Sequence, residues 1–414
     1  MVANVTNTYW TRARKAGAIY VAAGALAVIF WGLLAKNTGS SKFTLGESIN
    51  DSSFGLPSRV GTIIFALITV VCGILLFSGR MDRRFGLLSG IAVVGLVVSF
   101  LCWQLVDNTM PLGSTAAATV SYALPLMLGA LAGVLGERSG VINVAIEGQL
   151  LLGAFMAAFV GTVTASAWAG LVGAAVGGLI VAWLLAVLAI RYLVDQVVLG
   201  IVLNLLVLGV TSFLYSQVMQ PNAAGFNQAP PLPNWKVPGL SSIPIIGPAI
   251  FEQNILTYLA IVALVVIHYG LFHTRWGLRT RAVGEHPKAA DTVGIKVLAL
   301  RYRNVLIAGV IAGLGGAFFT IGSDNNFNKN MTVGKGFIAL AALIFGRWSP
   351  IGATLAALLF GFSQALADVL GAINSSIPTE FVTMLPYLVT ILAVAGFVGR
   401  AKAPAADGKP YIKG

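Results

Sequence analysis

Glu147 is the side chain in this sequence that most needs a chemical explanation. It stands in the segment Gly136-Glu-Arg-Ser-Gly-Val-Ile-Asn-Val-Ala-Ile-Glu-Gly-Gln149, between a short basic turn and a long apolar run. A carboxylate at the centre of a bilayer costs roughly 2.5–3.5 kcal/mol even on a lenient insertion scale, so it must face protein, water or a helix N-terminus. Two kinds of chemistry fit: a polar group lining a solute path, or a carboxylate that stitches a broken helix together by accepting backbone N–H groups. Glycines at 136, 140 and 148 make an irregular backbone there easy, which favours the second. Asn143 lies four residues before Glu147 and would share its face on a continuous helix. Gln149 follows two residues later. Asn204 and Gln364 are amides inside other apolar runs, where each suits an interhelical hydrogen bond or a solute contact equally well.

No catalytic constellation accompanies these groups. The sequence has no G-x-x-x-x-G-K-[ST] phosphate loop, no H-E-x-x-H and no G-x-S-x-G, so ATP hydrolysis by the chain itself is not expected. Cys72 and Cys102 both lie in apolar runs without ligand spacing, and the three histidines (His268, His273, His286) form no motif with them. No metal site is predicted.

The elements that must position Glu147 are membrane helices. The chain is 57% hydrophobic and only 10% charged, against roughly 25% charged residues in a soluble domain. A bilayer span needs about 20 apolar residues. Spans are predicted at 16–35, 60–77, 87–106, 116–135, 141–163, 168–190, 197–218, 255–272, 305–321, 351–369 and 381–398. The run at 337–345 is too short to cross and reads as a half-helix or broken helix, tolerated only where protein or a cavity surrounds it. The expected fold is therefore an all-α polytopic membrane protein with about ten to twelve transmembrane helices. Small residues one turn apart, at Gly129/Gly133, Gly173/Gly177 and Gly309/Gly313, predict close helix packing.

Charge orients the array. Alternating the sides, and counting the short run as a crossing, places 20 of the 26 lysines and arginines on one face together with both ends of the chain. The positive-inside rule makes that face cytoplasmic. The outer residue set is Lys36, Lys42, Arg59, Lys236, Lys329 and Lys335. The same distribution explains the net charge of +12 without nucleic acid, which would call for a basic face on a folded domain. The first apolar run follows Arg12, Arg14 and Lys15 but is too long for a secretory signal, so it reads as a retained helix.

Two loops and the tail remain. The outer loop 220–253 is rich in proline and nearly uncharged, and suits a cap or docking surface at the outer mouth. The inner loop 273–304 is strongly basic. Within it, Pro287-Lys-Ala-Ala-Asp-Thr-Val reads as a short helix with proline at its first turn, closed by Gly294. On physics alone this is equally a partner-contacting helix or an ordinary surface loop. The polar tail 401–414 is predicted to be disordered.

The stretches Gly136–Gly148, Gly284–Ile295 and Met331-Thr-Val-Gly-Lys-Gly-Phe-Ile-Ala-Leu340 resemble the permease subunits of ABC importers in the branched-chain amino acid and simple-sugar superfamily. The likeness is greatest to the nucleoside subgroup that works with basic-membrane-protein-type lipoproteins. It covers roughly residues 116–400, leaving 1–113, with about three spans, as an N-terminal extension ahead of a permease core at 114–400 and the cytoplasmic tail. The resemblance implies a permease rather than an enzyme, with no cofactor of its own and Mg-ATP bound by partners in the plasma membrane. The implied partners are a second homologous permease, ABC ATP-binding subunits, an extracytoplasmic solute-binding lipoprotein and membrane lipid. It further implies that Gly284, Glu285, His286, Pro287, Lys288, Ala289, Ala290, Asp291 and Gly294 form the segment that couples to the ATPase, with Glu285 and His286 facing it. Within the superfamily a simple sugar, purine base or vitamin are alternative solutes. An ion-coupled secondary transporter is the alternative from another class. It would need ionisable groups at mid-membrane, for which Glu147 and Asp368 are the candidates.

Overall fold

An apolar run with no polar face cannot leave its backbone N–H and C=O groups unpaired in lipid, so it closes them within a helix. The computed structural model follows this rule. It describes residues 10–35, 38–46, 48–49, 53–79, 81–373, 381, 384, 387 and 402–413. Among these residues, ten helices are long and apolar enough to cross a membrane, making this an all-α polytopic membrane protein. The predicted span 381–398 lies almost wholly outside the described residues.

The chain divides into two compact units. The first comprises residues 1–115 and 367–382. It contains α1 (Arg12–Ala27), prolonged by a wide π-helical stretch to Leu34, α2 (Ser58–Phe77) and α3 (Phe85–Gln104). Hydroxyl groups fasten α2 to α3: Ser99 Oγ donates to Thr62 O at 2.9 Å and Thr69 Oγ1 to Ala92 O at 3.0 Å. A small sheet sits beside them, with β1 (Ser40–Thr44) between antiparallel β2 (Ser53–Pro57) and parallel β3 (Thr109–Pro111).

The second unit comprises residues 116–366 and 383–414. Its helices are α4 (Leu112–Glu137, from residue 116), α5 (Ile146–Val163), α6 (Ala167–Ala186), α7 (Gln196–Leu214) and the single turn α8 (Ala223–Phe226). A strand pair, β4 (Asn234–Lys236) and β5 (Glu252–Asn254), precedes α9 (Ile255–His273), α10 (Arg275–Glu285) and α11 (Pro287–Thr292). Then come α12 (Val297–Ala317), α13 (Lys335–Phe345) and α14 (Pro350–Ala372, to residue 366). Polar caps set several starts. Asp195 Oδ1 accepts from Val197 N at 3.0 Å and Val198 N at 2.9 Å, and Asn254 Oδ1 accepts from Leu256 N at 3.1 Å, satisfying donors that a helix N-terminus cannot pair internally.

Glycine allows α6 and α12 to touch backbone to backbone. A Cβ on Gly178 would run into Gly309 O and lie 2.6 Å from Gly313 Cα. Gly129 and Gly133 of α4 likewise sit in close contact, against the side chains of Ala339, Leu343 and Ile146: a Cβ on Gly129 would lie 2.9 Å from Ala339 Cβ. The proline-rich stretch 220–253 folds down onto the unit, with Ala229 and Leu232 buried and their amides bonded to Asn325 O at 3.0 Å and Ile321 O at 2.8 Å. The prediction of a disordered tail fails. Residues 402–413 are packed, with Ala406 and Tyr411 buried, because apolar side chains and backbone bonds within the tail find partners that composition alone does not reveal.

Candidate functional site

Two broken elements meet at Glu147. After α4 the chain runs without regular helix through 138–145 before α5 begins at Ile146. Ile146 packs beside Gly129 and Gly133, one to two turns back from the end of α4, so the irregular stretch doubles back alongside the last turns of that apolar helix. From the other side, residues 325–334 descend irregularly, with positive φ at Asn330, Val333 and Gly334, before α13 starts at Lys335. At 11 residues, α13 is about 16 Å long, half of an apolar layer of about 30 Å. It is the half-helix predicted at 337–345. Lys335, counted with the outer border, heads this half-helix.

Glu147 ties the two breaks together. Its Oε1 accepts from Thr332 Oγ1 at 2.6 Å and Gly334 N at 2.9 Å, and its Oε2 accepts from Gly336 N at 2.6 Å. A carboxylate at the first turn of α13 satisfies donors the helix leaves orphaned and opposes the positive end of its dipole. Gly336 is needed because a Cβ there would collide with the Glu147 backbone.

The amides serve the same junction. Asn143 does not share a helical face with Glu147, since it lies before the helix begins. Its side chain and that of Gln149 instead exchange two hydrogen bonds, Nδ2 to Oε1 at 3.0 Å and Nε2 to Oδ1 at 3.2 Å. Asn204 reaches across from α7, accepting from Gly148 N at 2.8 Å and donating to Val144 O at 2.9 Å. Gln196 Oε1 accepts from Ile142 N at 2.7 Å. Gln364 is elsewhere. It lines a cavity of about 210 Å³ together with Tyr122 of α4, Lys335 and Ile338 of α13, and Phe360 of α14. An amide, a phenol, an ammonium group and an aromatic face thus border one space large enough for a small polar solute.

The basic loop forms a second site. Residues 287–292 are helical, as the proline and Gly294 predicted, and Gly294 has φ +84°. Glu285, His286, Lys288, Ala289, Val293 and Gly294 are exposed, whereas Ala290 is 3% exposed and turned into the protein. Ala290 packs with Val283, Val297 and Tyr411. A groove of about 710 Å³ runs alongside, bordered by Leu278, Arg279, Val293, Lys296 and Arg303. Arg303 also stacks over the Trp276 ring at 5.8 Å. Glu285, though exposed, accepts a bond from Ala405 N at 3.2 Å.

Sequence reasoning missed the hub beneath this loop. Arg301, read as one more loop charge, is 2% exposed in α12. It donates from Nε to Ser139 O at 3.1 Å and from Nη1 to Lys409 O at 3.0 Å. Nearby, Trp348 Nε1 donates to Glu137, which also bonds Asp407. Burial pushes the Asp407 carboxyl up to about 7, against the bond to Glu137, the Gly408 amide and the Arg301 guanidinium, which favour its ionised form. Burial also lowers Arg138, opposed by Glu285. The only sequence signal was that Glu137-Arg138 opens the same motif that holds Glu147. Among the described residues no group of histidine, cysteine, aspartate and glutamate is arranged to hold a metal.

Residues 115–394 match the family described as branched-chain amino acid transport system / permease component. The guanosine ABC transporter permease protein NupQ of Bacillus subtilis is 43% identical over 318 residues, covering 74% of this chain and 99% of the relative. The nucleoside ABC transporter permease protein NupC of Lactococcus lactis is 41% identical over 317 residues, again 74% and 99%. A second guanosine permease of Bacillus subtilis, NupP, is 26% identical over 296 residues, 68% of this chain and 81% of the relative. No solved structure matches the chain.

Proposed function

Since the chain belongs to the branched-chain amino acid transport system permease component family of ABC transporters, we propose that it is the membrane subunit of an ATP-driven nucleoside importer. It is a multi-pass protein of the cell membrane. The observation that carries the solute is the pair of relatives named for guanosine and nucleoside transport, matched at 43% and 41% over nearly their whole length. The cavity beside Gln364 supports it: a nucleoside offers a π-face to Tyr122 or Phe360 and hydrogen-bonding edges to the Gln364 amide.

ATP is hydrolysed on partner ATP-binding subunits, which carry the Mg-ATP. This chain supplies the path and needs no cofactor. A second homologous permease completes the path, in keeping with NupP and NupQ both occurring in Bacillus subtilis. An extracytoplasmic lipoprotein delivers the solute. The exposed side of α11 and the basic groove beside it receive the ATPase on the cytoplasmic face, where 20 of 26 basic residues fall. ATPase movement then pushes on the loop, and the two broken elements pinned by Glu147 lie where the helices must shift. The ion-coupled alternative is disfavoured because both oxygens of Glu147 are committed to three donors of the 332–336 stretch, which makes it a tie between two broken elements rather than a site open to a coupling ion.

Reconstitution with the partner subunits tests the reading. Labelled guanosine should accumulate in vesicles only with ATP and the ATPase, and be outcompeted by other nucleosides but not by glucose. Gln364→Leu should raise the KM for guanosine more than it lowers maximal uptake. Uptake driven by a proton or sodium gradient without the ATPase would overturn the proposal.

A further inference from the structure

The C-terminal segment touches three parts of the cytoplasmic end. Ala406 N donates to Gly284 O at 2.8 Å and Ala405 N to Glu285 Oε2 at 3.2 Å, so the segment is laced to the end of α10. The Tyr411 ring closes the small apolar cluster of Val283, Ala290 and Val297, and its hydroxyl lies beside Asp291. Both contacts bear directly on α11. On the other side, Lys409 O accepts from Arg301 Nη1, and the same guanidinium holds Ser139 O through Nε. Asp407 bonds Glu137 at the end of α4. Gly408 adopts φ +71°, and a Cβ there would come within 2.6 Å of Ile142 Cδ1.

The stretch 137–142 gripped in this way leads straight into the site. Ile142 precedes Asn143, which pairs with Gln149 one turn into α5, and Glu147 on that turn holds the start of α13. By contrast, α11 itself meets α10 and α12 through Ala290 against Val283 and Val297. Gly284, at the end of α10, packs on Arg138 O, and the tail with Arg301 adds the hydrogen bonds that join the two. A short helix of six residues that rests on Val283 and Val297 through Ala290 passes on an imposed displacement less faithfully than one that hydrogen bonds also fasten. Packed side chains and hydrogen bonds with one discrete arrangement are what carry motion between sites.

We propose that residues 404–411 are a clamp that makes α11 and the 137–142 stretch move as one body, with Arg301, Asp407 and Tyr411 as positioning residues for coupling ATP hydrolysis to transport. Of the coupling segment the clamp touches Glu285, Ala290 and Asp291 and leaves His286, Lys288 and Ala289 exposed. It therefore acts on transmission and not on ATPase docking. The inference rests on the reading of α11 as the ATPase contact.

Two variants test it in the reconstituted full complex, and they are read only once the unmodified complex shows ATP-driven guanosine uptake. Failure of that control sinks the functional reading itself, separately from the clamp. In a chain lacking residues 404–414, the ATPase should still co-purify and hydrolyse ATP, while guanosine taken up per ATP falls on the order of ten-fold. An unchanged ratio overturns the clamp. Loss of co-purification overturns it too, because the tail would then belong to the docking surface. The second variant covers the case in which truncation impairs folding. Val283→Cys with Tyr411→Cys, oxidised to a disulfide, ties the tail to α10 within the apolar cluster the two side chains share, while the native Cys72 and Cys102 are buried. Uptake per ATP should be restored by oxidation and should fall when the bond is reduced. A locked complex that hydrolyses ATP without transporting would show that the tail must release during each cycle, and the clamp would be refuted.

Discussion

Replacing Glu147 by glutamine removes one acceptor oxygen from a site built for two. The best fit keeps the carbonyl where Oε1 lies, still facing Thr332 Oγ1 and Gly334 N, and aims the new NH₂ at Gly336 N–H. One charge-assisted bond of about 1.5–3 kcal/mol is lost, and a buried donor left unpaired costs about 1–3 kcal/mol. The two remaining bonds fall from charged to neutral strength, and α13 loses a negative charge at its N-terminus worth about 0.3–1 kcal/mol. Some relaxation is inevitable, so a loss of about 3–5 kcal/mol is expected, a large share of the 5–15 kcal/mol typical of a folded protein. The assay is denaturation of the detergent-solubilised protein by sodium dodecyl sulfate, alongside guanosine uptake per folded transporter. The Glu147→Gln midpoint should move well below the parent, and Thr332→Val, which removes one bond, should fall between the two. A Glu147→Gln protein with unchanged midpoint and yield would refute the view that this carboxylate holds the half-helix in place.

Three further outcomes follow from the geometry. Gly178→Ala should lower the yield of folded protein by forcing α6 from α12, since its Cβ would meet Gly309 O and Gly313 Cα, an overpacking cost of about 1–3 kcal/mol; size-exclusion recovery measures it. A cysteine at exposed Ser242 should react with an impermeant maleimide from outside and one at exposed Lys288 should not, and the opposite pattern would invert the orientation. Asp407 has a raised pKa in the folded state, so its contribution to tail docking is fully present below its ordinary value of 3.8 and is lost as pH climbs through about 7. Glu137 from α4 and Arg301 from α12 face it. The Ala406 amide, bonded to Gly284 O, should exchange with solvent more readily at pH 8 than at pH 6 beyond the intrinsic rate change, and Asp407→Asn should flatten that difference.

The sequence by itself determined the solvent and the elements. Ten described spans, the half-helix and the short helix after Pro287 were legible because hydropathy, length and proline are local properties of the chain. Glu147 could be singled out for the same reason, as a charge where local composition forbids one. What the sequence could not supply was the partner of each polar group. Whether Glu147 meets solute, water or backbone depends on residues 332–336, nearly two hundred positions away. Asn143 was placed on a helix that begins only at Ile146, because residues 138–145 are held out of helical form by bonds to Gln149, Gln196 and Asn204. The tail was read as disordered because nothing in its composition shows that a carbonyl at Lys409 will find Arg301 or that Tyr411 will complete a cluster with Val283 and Ala290. In a membrane protein the bilayer selects helices from short-range pattern, and the desolvation cost of every remaining polar group selects the tertiary contacts. Those contacts are long-range, and only the assembled bundle decides them.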